Sequence, residues 1–313
     1  ILPIAKNLQD DAALGNIYVQ IGRCYKEKNQ FQSALTAYME ALRYREKIKD
    51  SIGMGKVYNN LSSLFTDEKL YEKAKWYSYK ALNIYLGKKG PDTGPVSNAY
   101  INLANVLEET GSIDSAIWSG LEALKYIRTS SKVDSNVWQT AVYGLGKRYL
   151  KKGETDKAEA MLLQALQYNM DAKDTSKMAM CCNALGATEW KKNDMSKSLK
   201  YFQQAEEFAK TTENTLEMVT AQYNIGIIQS GKNNFEAADQ AYKNALQALG
   251  DQKLPNETLD EVLRRNIEIN KTAQSTYWIH TLLTATLFAA LLLIVGILWK
   301  LLSTSLKNIE LEK

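Results

Sequence analysis

Residues Ile21–Leu42 read IGRCYKEKNQFQSALTAYMEAL, and versions of this stretch return five more times along the 313-residue chain. Gly22 is followed in register by Ser62, Ala104, Gly146, Gly186 and Gly226, at spacings of 40, 42, 42, 40 and 40 residues. A period of that length accommodates one helix-turn-helix unit. Twelve residues before each small residue stands Asp10, Asp50, Asp92, Asp134, Asp174 or Asn214. Twelve residues after it stands Ala34, Ala74, Ala116, Ala158, Ser198 or Ala238, and seven further on Ala41, Ala81, Ala123, Ala165, Ala205 or Ala245.

Each column has a physical reading. An Asp or Asn ahead of a helix accepts from the unpaired amides of its first turn. Small residues on both helices of a unit let their axes approach closely. The column between them reads Asn29, Lys69, Gly111, Gly153, Asn193, Asn233, mostly residues that tolerate a left-handed helix cap. Each unit is therefore two antiparallel helices that bury their apolar faces only by stacking on neighbours.

These residues resemble the tetratricopeptide repeat. The motif's large, small and aromatic positions appear as Tyr18, Ile21, Gly22, Tyr25, Ala34, Tyr38, Ala41, and again as Tyr58, Leu61, Ser62, Phe65, Ala74, Ala81. The proline that usually closes the motif is replaced by Glu46, Leu86, Arg128, Met170, Lys210 and Gly250, which fits the longer-period variety of the family. The resemblance implies an all-α superhelical solenoid, with six repeats over residues 13–250 and a remnant of a preceding repeat over residues 1–12. A start inside a repeat, on Ile, reads as that of a fragment or processed product.

Net charge is only +4 and there is no basic cluster, so the composition offers nothing to a nucleic acid. Three cysteines, Cys24, Cys181 and Cys182, read as small buried residues on first helices. The one histidine, His280, excludes a Ser/His, Cys/His or multi-His metal arrangement, and no phosphate-binding glycine loop occurs. No catalytic residue, metal or cofactor is expected in these 313 residues.

GPDTGP at Gly90–Pro95 and the segment Thr129–Asn136 absorb the two longer spacings. After Gly250 the pattern breaks, and residues 251–276 read as a capping, juxtamembrane helix with Leu259, Val262, Leu263, Ile267 and Ile269 apolar. Leu282–Trp299 then runs 18 residues without a charge. The wider stretch Ile279–Leu302 spans roughly 36 Å as a helix, enough for a hydrocarbon core of about 30 Å. Residues 277–302 are thus expected to form a transmembrane helix in contact with lipid, with Tyr277, Trp278 and Trp299 at the interfaces and Lys300 reaching the headgroups. Residues 303–313 open a signalling or coiled-coil helix, Leu302 and Ile309 lying one heptad apart, and a homodimer through the membrane helix is an expected arrangement.

The remaining polar candidates fall on the inner faces of the first helices. They are Asn16, Arg23 and Lys26, then Lys56, Asn59 and Asn60, then Asn98, Asn102 and Asn105, followed by Tyr143, Lys147, Asn183, Trp190, Tyr223 and Asn224. A side-chain amide offers both donor and acceptor and pairs with a peptide backbone regardless of its sequence. Arg and Lys suit a carboxylate, and Trp or Tyr anchors an apolar side chain. A peptide or protein ligand is the expected partner. The resemblance extends to the sensor regions of bacterial single-span signalling proteins, which implies repeats in the periplasm, an inner-membrane anchor and an output module, such as a histidine kinase, beyond Lys313. The alternatives are a cytosol-facing, tail-anchored scaffold and a subunit of a larger membrane complex.

Overall fold

A computed structural model of the chain describes residues 9–87, 93–129, 135–250 and 257–311, with side chains of the last segment over 260–291. Among the described residues the regular structure is entirely α-helical: twelve helices of 16 to 18 residues and one of 55. They are α1 (Asp11–Glu27), α2 (Phe31–Lys47), α3 (Ser51–Asp67), α4 (Tyr71–Leu86), α5 (Thr93–Glu109), α6 (Ile113–Thr129), α7 (Ser135–Lys152), α8 (Thr155–Asp171), α9 (Thr175–Lys191), α10 (Met195–Thr211), α11 (Thr215–Gly231), α12 (Phe235–Gly250) and α13 (Glu257–Leu311). The fold is a helical-repeat solenoid whose contacts divide it into two compact units, the first ending at Tyr201 and the second beginning at Phe202.

The recurrent acidic column caps the first helices. Asp10 accepts from the Ala13 amide at 2.9 Å, Asp50 from Gly53 at 2.9 Å, Asp174 from Lys177 at 3.1 Å and Asn214 from Glu217 at 3.3 Å. Asp92 and Asp134 lie outside the described residues. Every member of the turn column adopts positive φ, from 55° at Asn29 to 91° at Gly153, and Lys69 does so at 59° although lysine has no special preference for that region. A second set of left-handed residues, Lys49, Lys173 and Glu213, closes the turns between repeats.

In the first unit, α1 packs on α2, α3 on α4, α5 on α6 and α7 on α8, while the first helices α1, α3, α5, α7 and α9 also touch one another in sequence. Their core is continuous from Ala34 to Cys181. What sets the approach within a pair is the small residue of the first helix against the residue 16 positions later on the second. A Cβ added to Gly22 would lie 2.5 Å from the ring of Tyr38, and one added to Gly146 would lie 2.7 Å from Leu162. In the second repeat the same positions hold Ser62 and Ser78, whose hydroxyls meet at 2.6 Å. Tyr38 is fully buried over Gly22, and that burial pushes its hydroxyl pKa up to about 12.

In the second unit, α12 packs on both α11 and α13, and Gly226 gives way to Tyr242, to which an added Cβ would come within 2.4 Å. Helix α13 is continuous rather than two separate elements. Leu263 and Asn270 form its buried contact, Asn270 donating to the Phe235 carbonyl at 2.9 Å. Ile267 is half-buried, whereas Val262 and Ile269 are exposed. Among the described residues no helix is long and apolar enough to cross a membrane. Trp299 and Lys300 lie outside the described side chains. Cys24 is exposed, contrary to the expectation of three buried cysteines, while Cys181 and Cys182 are buried.

Replacement of Gly22 by Ala gains helix propensity of about 1 kcal/mol. It nevertheless overpacks against Tyr38, which costs roughly 1–3 kcal/mol, so chemical denaturation of Gly22→Ala should show a net loss of up to about 2 kcal/mol instead of a gain. Tyr38→Ala should cost more, roughly 3–5 kcal/mol, because it empties the space that Gly22 leaves for the ring.

Candidate functional site

The contact of first helix with first helix leaves their free faces lining one side of the first unit. A cavity of about 610 Å³ opens there across repeats 1 to 3. Seven of the sequence candidates share its walls: Asn16 and Arg23 from α1, Lys56, Asn59 and Asn60 from α3, and Asn98 and Asn102 from α5. Its lining contains no carboxylate. Arg23 and Lys56 are exposed and, among the described residues, have no ion-pair partner. Asn102 donates to the Asn59 carbonyl at 3.2 Å, which ties α5 to α3 and leaves the Asn59 side chain facing the cavity. Asn59 is 9% exposed, and its side-chain oxygen is buried without a hydrogen-bond partner. An acceptor in that condition forfeits roughly 1–3 kcal/mol until a donor reaches it.

The cavity also involves a residue the sequence pattern did not single out. Arg45, from the second helix α2, crosses to the inner face, pairs with Asp50 at 2.7 Å and donates to Asn16. It passes where Gly15 and Gly53 lack side chains: a Cβ on Gly53 would lie 2.6 Å from the Arg45 Cδ, and one on Gly15 2.9 Å from its Nε. Two glycines near the starts of successive first helices, with an arginine near the end of the helix between them, were the available signal.

Other candidates hold the stack together instead of facing a ligand. Lys26 donates to Ser63 at 2.9 Å and pairs with Asp67 at 2.9 Å, bridging α1 to α3. Asn105 accepts from Arg148 at 2.6 Å, and Arg148, almost fully buried, also pairs with Glu108 at 3.2 Å. Desolvation lowers the Arg148 pKa, and the Glu108 charge opposes that shift. Tyr143, Lys147, Asn183 and Trp190 belong to α7 and α9 and do not line the cavity. Lys147 sits 5.8 Å from the Tyr143 ring, Asn183 is buried and Trp190 is half-buried. In the second unit, Tyr223 packs on Tyr242, and Asn224 donates to the Thr220 carbonyl of its own helix at 2.8 Å. A separate cavity of about 810 Å³ there is lined by residues of α11, α12 and α13, including Arg265, Glu268 and Tyr277.

Residues 15–48 and 219–248 match the tetratricopeptide repeat family. The recurrent helix pairs between these two stretches have the same helix-turn-helix form, so the chain carries tetratricopeptide repeats within a helical-repeat fold. Its fold is similar to a signal-transduction ATPase with numerous domains and a tetratricopeptide repeat sensor from Pyrococcus horikoshii, with a TM-score of 0.66 at 15% identity over 86% of this chain and 43% of that one. It is also similar to the apo form of RapI, with a TM-score of 0.60 at 16% identity over 84% of this chain and 99% of that one. A Rap protein complexed with competence and sporulation factor gives a TM-score of 0.58 at 13% identity, over 88% and 82% of the two chains. No curated protein matches the sequence. At these identities the structural likeness establishes the fold.

Beside Trp190, the Glu189 carboxyl is fully buried, with one oxygen lacking a hydrogen-bond partner and Lys197 3.9 Å away. Burial first, then the neighbouring Glu159 carboxylate, raises its pKa. A carboxyl whose pKa is raised on folding supports the fold at low pH and loses that support as pH rises through its folded value. Glu189→Gln should therefore raise the melting temperature by a few degrees near pH 7 and leave it nearly unchanged near pH 3, where both states are protonated.

Proposed function

We propose that the chain binds a peptide or an extended protein segment in the cavity across repeats 1 to 3. The observation that carries this reading is the buried, unpartnered Asn59 oxygen on a wall that also holds Asn16, Asn60, Asn98 and Asn102 and two cations, Arg23 and Lys56, with no ion-pair partner among the described residues. The amides of Asn16, Asn59, Asn60, Asn98 and Asn102 offer donors and acceptors to a backbone, while Arg23 and Lys56 attract a carboxylate. The Rap structure with competence and sporulation factor supports a ligand of this class on a similar fold.

The reading includes a membrane anchor in α13. Its support is the exposure of every side chain from 281 to 291, among them Leu282, Leu287, Phe288 and Leu291, in a sequence that stays uncharged to Trp299. A stretch of helix apolar all round, and exposed among the described residues, suits lipid better than water. The repeats are then an extracytoplasmic sensor, and the membrane helix conveys the bound state to the other side.

Two measurements test these parts separately. The purified chain is incubated with a degenerate peptide pool and retained peptides are identified by mass spectrometry; the best of them should bind Asn59→Ala or Asn98→Ala about tenfold more weakly. Equal binding by both variants would sink the groove assignment. For the anchor and its orientation, the exposed Cys24 is a native reporter. A membrane-impermeant thiol reagent should label it in intact cells, and the chain should resist alkaline extraction. Labelling only after lysis would place the repeats in the cytosol and favour the scaffold.

A further inference from the structure

The outer face of the first unit carries an apolar row that peptide binding does not use. Met39, Tyr79, Leu121 and Leu163 each stand 17 residues after the small residue of their repeat, on α2, α4, α6 and α8. Trp76 and Trp118, one helical turn earlier, widen the row in repeats 2 and 3. All six are exposed, Trp76 by 51% and Trp118 by 55%. Met39 and Trp76 open onto one apolar cavity of about 550 Å³, which joins α2 to α4 across the row. Repeats 5 and 6 carry Gln203 and Lys243 in this column, so the row ends with repeat 4. Six such side chains expose on the order of 500 Å² of apolar surface, more than a solitary surface hydrophobe explains. With a polar rim, that approaches the ~800 Å² per partner of a stable interface.

The charges beside the row identify the occupant. The next residue in each repeat is Glu40, Lys80, Glu122 and Gln164. Lys80 is exposed with its ammonium 4.1 Å over the Trp76 ring, and the only ion-pair partner of the half-buried Glu122 among the described residues is the exposed Lys125, at 3.3 Å. A two-fold axis makes a surface complementary to itself, and only some placements of the axis suit this pattern. Centred on repeat 2, the axis would oppose Lys80 to Lys80 and Glu40 to Glu122. Centred on repeat 3, it would oppose Glu122 to Glu122. Placed between repeats 1 and 2, it would leave the rows of repeats 3 and 4 uncovered. Placed between repeats 2 and 3, it sets Lys80 against the partner's Glu122, Glu40 against the partner's Gln164, and all four apolar positions against apolar ones.

We propose that two copies of this chain associate through the outer helices α2, α4, α6 and α8, antiparallel about an axis between repeats 2 and 3, with Lys80 of each copy paired to the partner's Glu122.

The test is sedimentation velocity of the full chain in a non-ionic detergent, across protein concentration. The wild type should reach the mass of a dimer. Lys80→Glu should weaken association at least about tenfold, because like charges then face each other at both ends of the axis. Lys80→Glu combined with Glu122→Lys should restore it. As a geometric check, in a Cys24→Ser background, Tyr79→Cys chains mixed with Leu121→Cys chains should form a disulfide dimer that neither forms alone. Circular dichroism melts confirm that each variant is folded. A wild type that stays monomeric overturns the proposal, as does a dimer indifferent to Lys80→Glu, which would be held by another surface such as the apolar end of α13. Failure of the double exchange to restore association overturns the antiparallel register.

Discussion

Everything in this fold depends on how close the two helices of a repeat come. That distance is set largely at one pair of positions 16 residues apart. Where the first helix offers glycine, the second supplies a tyrosine or a leucine, as at Gly22 with Tyr38 and Gly146 with Leu162; where it offers serine, serine answers, as at Ser62 with Ser78. In repeat 3 both positions are small, Ala104 and Gly120, and Leu145 of the next first helix fills the space beside Gly120. Interiors pack at crystal-like density, so each pair of helices sits at the distance its own side chains and those of its neighbour fill. Because each repeat stacks on the next, a displaced pair would misplace its neighbours, and with them the inner face on which the cavity lies.

Much of this was legible before any coordinates, because it is periodic. The capping column and the left-handed turn column are local backbone requirements repeated at fixed spacing, and a requirement that recurs six times stands out from composition. Lys69 shows the limit: it occupies the left-handed turn position with no residue preference to announce it, and only its place in the column gave it away. The cavity was legible in part. Asn16, Arg23, Lys56, Asn59, Asn60, Asn98 and Asn102 converge because they share one face of neighbouring first helices. Lys26 and Asn105 share that face too, but each meets a partner one repeat away, Asp67 and Arg148. Such cross-repeat pairings depend on side-chain reach, which no column reveals.

Arg45 was missed for a related reason. It belongs to a second helix, which the repeat pattern assigns to the outer layer, and it reaches the inner layer only because Gly15 and Gly53 leave a passage. Cys24 erred in the other direction. Its position on a first helix suggested burial, but it stands near the start of the stack, where no preceding described helix covers it. The outer row from Met39 to Leu163 escaped notice because an apolar residue on an amphipathic helix is ordinarily assigned to the core. Exposure, not sequence, separates it from its buried neighbours Tyr38 and Leu162.

The polar bridges between successive first helices also bear on how the stack comes apart. Lys26 to Asp67, Asn102 to the Asn59 carbonyl, Arg148 to Asn105 and Lys191 to the Leu150 carbonyl supply one junction each between α1 and α3, α3 and α5, α5 and α7, and α7 and α9. In a linear array, the strength of the junctions relative to the intrinsic stability of each repeat decides whether repeats melt one by one or together. With every junction of the first unit bridged, the loss of one repeat removes partners from the next. The cavity, walled by α1, α3 and α5 with Arg45 from α2, spans the first two of these junctions, and a break at either would open its wall.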